Sequence, residues 1–212
     1  MANNITLNCN GYTINYSSAG TLGYGVNVTN YNRTTVKNCV IKEGSATTNS
    51  KYAIYLIRAN NGTFDNNTIS TIGGSGIGFY IQVSSSQNII SNNTLITKGK
   101  GIYMYNTISN NQIINNNITS DSNTGIEIST SANSNTISNN NVSITGTGSA
   151  YGIYLYTGTN NTLTNNQVNT PLSSSYVIYG TGITHYNNSI DSSNLAEGKP
   201  VNYTFNGKNL RI

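Results

Sequence analysis

The chain has 212 residues, of which 35% are hydrophobic and 8% charged, with a net charge of +4. That is too little apolar content for an ordinary globular core, and no apolar run is long enough to span a membrane. The whole excess of charge falls between Arg33 and Arg58, where Arg33, Lys37, Lys42, Lys51 and Arg58 face only Glu43. No basic-and-aromatic interleaving accompanies it, so a solvated face is expected there and no nucleic-acid partner.

In chain order, Ile5 to Ile14 opens a first coil and Thr34 to Ile41 a second. Six positions then recur as apolar, any, Asn, Asn, any, apolar, at 64–69, 90–95, 113–118, 137–142 and 163–168. Val36 to Ile41 is a variant with Cys39 in the second Asn slot, and His185 to Ile190 a variant with His185 in the first apolar slot. The closing residues Ile41, Ile69, Leu95, Ile118, Val142, Val168 and Ile190 are 22 to 28 residues apart. A period in the twenties predicts a solenoid, in which each repeat buries its apolar side chains against its neighbours.

A second ladder runs in step: Gly25-Val26, Ala53-Ile54, Gly76-Ile77, Gly101-Ile102, Gly125-Ile126, Gly152-Ile153 and Val177-Ile178. Each opens a run in which alternate residues are apolar, the signature of a strand with one buried face. No stretch has a helical apolar period. The chain is therefore expected to be all-β, a parallel β-helix of about eight coils, on the order of 40 Å long at a strand spacing of about 4.8 Å. The Asn pairs mark one corner per coil, because Asn enters the left-handed backbone region at modest cost. Stacked coils place equivalent Asn amides one above another, where they can satisfy each other as a ladder.

The opening ITLNCNGYTI, the following TTVKNCVI and the repeated NNTI and GIYL segments resemble the NosD-type and pectate-lyase-like right-handed parallel β-helix repeats of bacterial and archaeal surface proteins. The resemblance covers nearly the whole chain and implies the right-handed form of the fold. Residues 1–194 are then repeats, and 195–212 form a final strand or a capping or assembly tail of the same domain. Gly198-Lys199-Pro200-Val201-Asn202-Tyr203 is similar to the GKPVYY tail of NosD-type surface proteins, with Asn202 where an aromatic is usual. The resemblance also implies an extracellular or surface location, any signal peptide having been removed.

Cys9 and Cys39 lie 30 residues apart and each follows an Asn that precedes a turn, so they are expected in adjacent coils. They read equally as a disulfide or as two small buried thiols. Insertions at 42–51 and 143–150 fall at one corner, as a tolerant loop or a binding edge. Tyr24, Tyr52, Tyr151 and Tyr176 are expected just before the ladder strands, and Tyr55, Tyr103, Tyr154 and Tyr179 at the first outward position. Tyr80, Tyr105 and Tyr156 follow at or near the next. This stripe suits stacking on sugar rings or packing on a protein, and equally suits tyrosines stacking on one another between coils.

Chemistry is harder to find. The NosD resemblance suggests copper, but His185, the two cysteines and Met104 make no cluster, so no metal or other cofactor is expected. Lyase-like and glycosidase chemistry needs grouped acids. Glu43, Asp65, Asp121, Glu127, Asp191 and Glu197 fall in different slots of the coil. Lys98 and Lys100, beside Tyr103, read as a solvated turn. The expected function is a non-catalytic structural module whose partner is a second copy, stacked head to tail through Ile5, Leu7, Val201, Tyr203, Phe205, Leu210 and Ile212. A glycan-binding module using the tyrosine stripe and a degenerate polysaccharide lyase-like enzyme are the alternatives.

Overall fold

The computed structural model describes residues 2–19, 23–45, 51–121, 123–146, 150–205 and the backbone of 210–211. Short strands follow one another around a coil and pair in parallel with their equivalents one coil away. Three sheets result, of eight, nine and seven strands. The first runs from Thr6–Asn8 to Ser189–Ile190, the second from Thr13–Tyr16 through Leu195–Ala196 to Lys199–Pro200, and the third from Tyr24–Thr29 to Ser174–Tyr179. Within these three sheets only Lys199–Pro200, the final strand of the second, is antiparallel to its neighbour among the described residues, and Thr204–Phe205 with Leu210–Arg211 forms a separate antiparallel pair.

The six-position unit is the corner between the first two sheets. Its first apolar residue belongs to the first sheet, where Val36 pairs with Phe64 and Ile90 with Ile113. Its closing residue belongs to the second, where Ile41 pairs with Ile69 and Leu95 with Ile118. The first Asn makes the turn: Asn38, Asn66, Asn92, Asn115, Asn139 and Asn165 have φ between 52° and 57°. The second points inward and is buried. Asn67, Asn93, Asn116, Asn140 and Asn166 each donate both backbone N–H and side-chain Nδ2 to the Oδ1 of the next, and the series ends on Asn194. Within this column each Asn satisfies donors that burial would otherwise strand, each worth about 1–3 kcal/mol if left unpaired.

A second buried ladder occupies the corner before the first sheet. There Asn88, Asn111, Asn135 and Asn161 each donate in the same way to the next, ending on Asn188. This corrects the last copy of the repeat. Asn187-Asn188 belongs to this second ladder, and Ile190 pairs with Leu163 of the first sheet. The residue that stacks on Val168 is Ala196. His185 lies in a 3-10 turn, Ile183–Tyr186, rather than in an apolar slot.

The glycine ladder also needs correction at one coil. Ile54 pairs with Phe79 and Phe79 with Ile102, so Gly78-Phe79, not Gly76-Ile77, is the member. At the last coil Ile153 pairs with Tyr176, which displaces Val177-Ile178 from the ladder. The glycines sit where one coil nearly touches the next. A Cβ on Gly101 would lie 2.5 Å from the Gly125 carbonyl oxygen, and one on Gly152 2.5 Å from that of Ser175.

The core is a narrow column of aliphatic stacks, with Phe64, Phe79 and Met104 fully buried among them. At the first coils Cys9 and Cys39 form a disulfide across a Cα separation of 4.7 Å, which settles the open alternative. It stands where the first Asn ladder would otherwise continue, and Cys39 N–H still donates to Asn67 Oδ1.

Candidate functional site

The third sheet carries the tyrosines, and its strands contain two consecutive inward residues. Ala53 and Ile54 are both buried, so Tyr52 and Tyr55 on either side both face out. Register then fixes the columns. Tyr55, Tyr80 and Tyr103 stack in one, followed by Glu127 and Tyr154. Gln82, Tyr105, Ser129, Tyr156 and Tyr179 form the next. Thus Tyr80 shares the first outward column and Tyr179 the second, the reverse of their expected places. Tyr176 is turned inward, its hydroxyl donating to the Asn166 carbonyl at 3.1 Å.

The rings form two groups. Tyr24 stacks on Tyr55 with centroids 4.8 Å apart, and Tyr80 on Tyr103 at 5.1 Å, with Tyr52 edge-on to Tyr80 at 4.7 Å. Beyond the strand Ile126–Ser129, Tyr156 stacks on Tyr179 at 5.2 Å, and Tyr154 lies against both Tyr151 and Tyr156. These faces are largely spent on one another. Burial pushes the phenols of Tyr80 and Tyr154 up to about 12, and at Tyr154 the Glu127 carboxylate adds to the effect. Tyr103 is raised further, by burial first and Glu127 second.

Glu127 interrupts the aromatic column and is nearly buried. Its carboxylate meets Lys100 Nζ at 2.7 Å, and that ammonium sits 3.8 Å above the Tyr103 ring. Lys98 pairs with Asp121 on the same corner. Lys98 thus keeps to the expected solvated turn, half exposed, whereas Lys100 is drawn onto Glu127 and largely covered. Lys51 is another correction to the expected solvated face: it is fully buried and faces Glu43 at 3.5 Å. No sequence pattern marks that pair, because its two residues belong to different sheets and meet only when the insertion corner closes.

The remaining acids are also engaged. Asp65 Oδ1 accepts from Ser91 and Asn92, both at 2.7 Å. Asp191 Oδ1 accepts the Ser193 N–H at 3.1 Å, and Glu197 Oε1 accepts from Ser175 Oγ at 3.2 Å. Among the described residues no three His, Cys, Asp or Glu side chains gather as a metal would require. His185 Nδ1 accepts the Thr181 and Gly182 N–H groups, and Met104 lies in the core.

Of the expected assembly residues, Ile5 is exposed and Leu7 packs partly against the core. Val201 and Tyr203 pack on the chain's own last coils, and Val201 N–H donates to the Asn194 carbonyl at 2.8 Å. The Tyr203 hydroxyl donates to the Tyr186 carbonyl, and the Phe205 ring lies 6.3 Å from that of Tyr186. The backbone of Leu210 pairs antiparallel with Phe205, while the Leu210 side chain and Ile212 lie outside the described residues. A shallow concavity of about 430 Å³ lies on the Asn corner, lined by Asn139, Asn140, Asn141, Asn165 and Gln167. Among the described residues no helix is long and apolar enough to cross a membrane.

Three parallel sheets wound into a solenoid, with inward Asn ladders at two corners and a tyrosine-lined face, define a right-handed β-helix protein. The chain belongs to the family described as the right handed beta helix region, whose profile matches residues 1–142. No curated protein matches it in sequence. Among solved structures it is similar to the periplasmic alginate epimerase AlgG, at 12% identity and a TM-score of 0.46, over 82% of this chain and 48% of that one. A double mutant of the same epimerase matches at 13% identity and a TM-score of 0.43, over the same shares of the two chains. The chain thus spans about half the length of those proteins.

Proposed function

We propose that this chain is a non-catalytic structural module of an extracellular or cell-surface protein, a stiff rod rather than an active site. The observation that supports this is the fate of its six acidic residues. Each is held by a lysine, a hydroxyl, a side-chain amide or a backbone N–H. A pair of carboxylates flanking a scissile bond would have to remain available to substrate. The disulfide fits an oxidising compartment. The test is incubation with uronate polymers, read by unsaturated products and by the epimer ratio. No turnover is expected, and turnover abolished by Glu127→Gln would overturn the reading.

End-to-end stacking extends this proposal. Thr6–Asn8, Thr13–Tyr16 and Tyr24–Thr29 are edge strands of the three sheets, and open edges template further strands. Negative-stain microscopy over a concentration series should show rods lengthening with concentration; rods of constant length would sink it. The second reading is glycan binding on the tyrosine face, favoured by the Lys100–Glu127 pair set between two groups of rings. It predicts signal on a glycan array that disappears in Tyr103→Ala and Tyr154→Ala.

A further inference from the structure

The buried pair at the insertion corner has a geometry that an ordinary ion pair does not need. Glu43 ends a strand of the second sheet, Val40–Glu43, and Lys51 begins the third-sheet strand Lys51–Ile57. Both side chains are wholly buried, with Lys51 Nζ 3.5 Å from Glu43 Oε1. That is too long for a good hydrogen bond. Lys51 Nζ donates instead to the Ser45 carbonyl at 2.7 Å.

The two carboxylate oxygens differ. Oε2 accepts the backbone N–H groups of Ile72 at 2.8 Å and Gly73 at 3.0 Å. Oε1 accepts no hydrogen bond, and the buried hydroxyl of Tyr16 has no partner either. Tyr16 is in register with Glu43 one coil back. Space for the carboxylate is reserved by Gly76, where a Cβ would lie 2.8 Å from Oε2. Buried charges persist when their remaining lone pairs are satisfied, which Oε1 is not. Two N–H donors on one carboxyl oxygen are the arrangement that stabilises an oxyanion. The Lys51 amine and the Glu43 carboxyl are thus held side by side in a site closed to water, the kind of placement that makes a reaction between two groups effectively unimolecular.

We propose that Lys51 and Glu43 condense into an intramolecular isopeptide bond. The Lys51 ammonium first gives a proton to Glu43 Oε1, and the neutral amine adds to the Glu43 carboxyl carbon. Negative charge develops on Oε2, held by the Ile72 and Gly73 N–H groups. The nitrogen then loses a second proton, with the Tyr16 hydroxyl as carrier, and that proton leaves with Oε1 as water. The Nζ–Cδ amide forms, the Cδ–Oε1 bond breaks, and one water is released with no change of oxidation state. The product ties the second sheet to the third at that corner. This is a covalent modification site, independent of whether the module binds glycans or stacks.

The experiment is mass spectrometry of the intact, denatured, thiol-reduced chain, followed by tryptic mapping. The expected result is a chain one water lighter than its sequence, uncut after Lys51, with a fragment in which residues 43 and 51 are joined. Lys51→Arg, which keeps the charge but cannot form this amide, should restore the full mass. A wild-type chain of full sequence mass that trypsin cuts after Lys51 would overturn the proposal. So would a water loss mapped to any other residue.

Discussion

Asn116 Oδ1 accepts two hydrogen bonds from Asn93, one from its backbone N–H and one from Nδ2, both at 3.0 Å. Asn116 Nδ2 in turn reaches Asn140 Oδ1 at 3.0 Å and the Ile90 carbonyl at 2.9 Å. One side chain thus joins three successive coils in a column almost closed to water. Asn116→Ala removes all of these at once, strands the Asn93 backbone N–H and leaves Asn93 Nδ2 with the Phe64 carbonyl alone. A loss of about 3 kcal/mol or more is expected, from roughly 1–3 kcal/mol for each unsatisfied buried group. Urea unfolding of the variant beside wild type measures it; a loss below about 1 kcal/mol would show that water replaces the ladder.

The same column begins with a covalent link. Reduction of Cys9–Cys39, or Cys9→Ser with Cys39→Ser, should free the first coil while the later coils stay folded, since each repeat depends on its neighbours. The closed loop of about 30 residues corresponds to roughly 3–4 kcal/mol in the chain-entropy description. Hydrogen exchange localises the effect: amides in Thr6–Asn8 and Thr13–Tyr16 should exchange faster on reduction. Protection in Ile113-containing coils should not change.

Close approach of coils at the glycine column gives a steric prediction. In Gly101→Ala the new methyl meets the Gly125 carbonyl oxygen and the Ile118 side chain, both at 2.5 Å. Overpacking of this kind destabilises by about 1–3 kcal/mol. Gly74→Ala, where a Cβ has open space, is the control expected to be near neutral in thermal unfolding.

The tyrosine face predicts alkaline behaviour. Tyr80 and Tyr154 are raised from the ordinary phenol value of 10.0 to about 12, chiefly by burial. Between those values the unfolded chain has released its phenol protons while the folded chain retains them, so stability falls as pH rises. The contribution is complete below pH 10 and lost by about pH 12. Phenolate absorbance followed by pH titration should show a late-ionising fraction that disappears in denaturant. Tyr80→Phe with Tyr154→Phe should flatten the stability loss in that window.

The tandem Asn units were legible in the sequence because their backbone role is local. The left-handed turn is made by the first Asn, and the spacing to the closing aliphatic recurs whatever lies between. The second ladder was hidden, since Asn88, Asn111 and Asn135 follow Gln87, Asn110 and Ser134 and so share no fixed pair. His185 to Ile190 imitates the first corner in sequence, and only its partners, Asn161 and Leu163, reveal that it is the second. Tyr80 and Tyr179 lie one column from their expected places because the ladder members of their coils are Phe79 and Tyr176, each two residues from Ile77 and Ile178, a slip that leaves the alternation unchanged. Alternation along one strand carries no information about register with the next.

By itself the sequence determined the all-β class, the repeat and the place of one turn in each coil, all of which follow from periodicity and backbone preference within a few residues. Tertiary structure decided which coil lies on which, and with it every functional candidate. The Cys9–Cys39 link, the Lys100–Glu127 pair between the tyrosine groups and the buried Glu43–Lys51 pair all join residues that share no strand. Their meeting depends on inter-coil register and on insertion length, which short-range preferences do not encode.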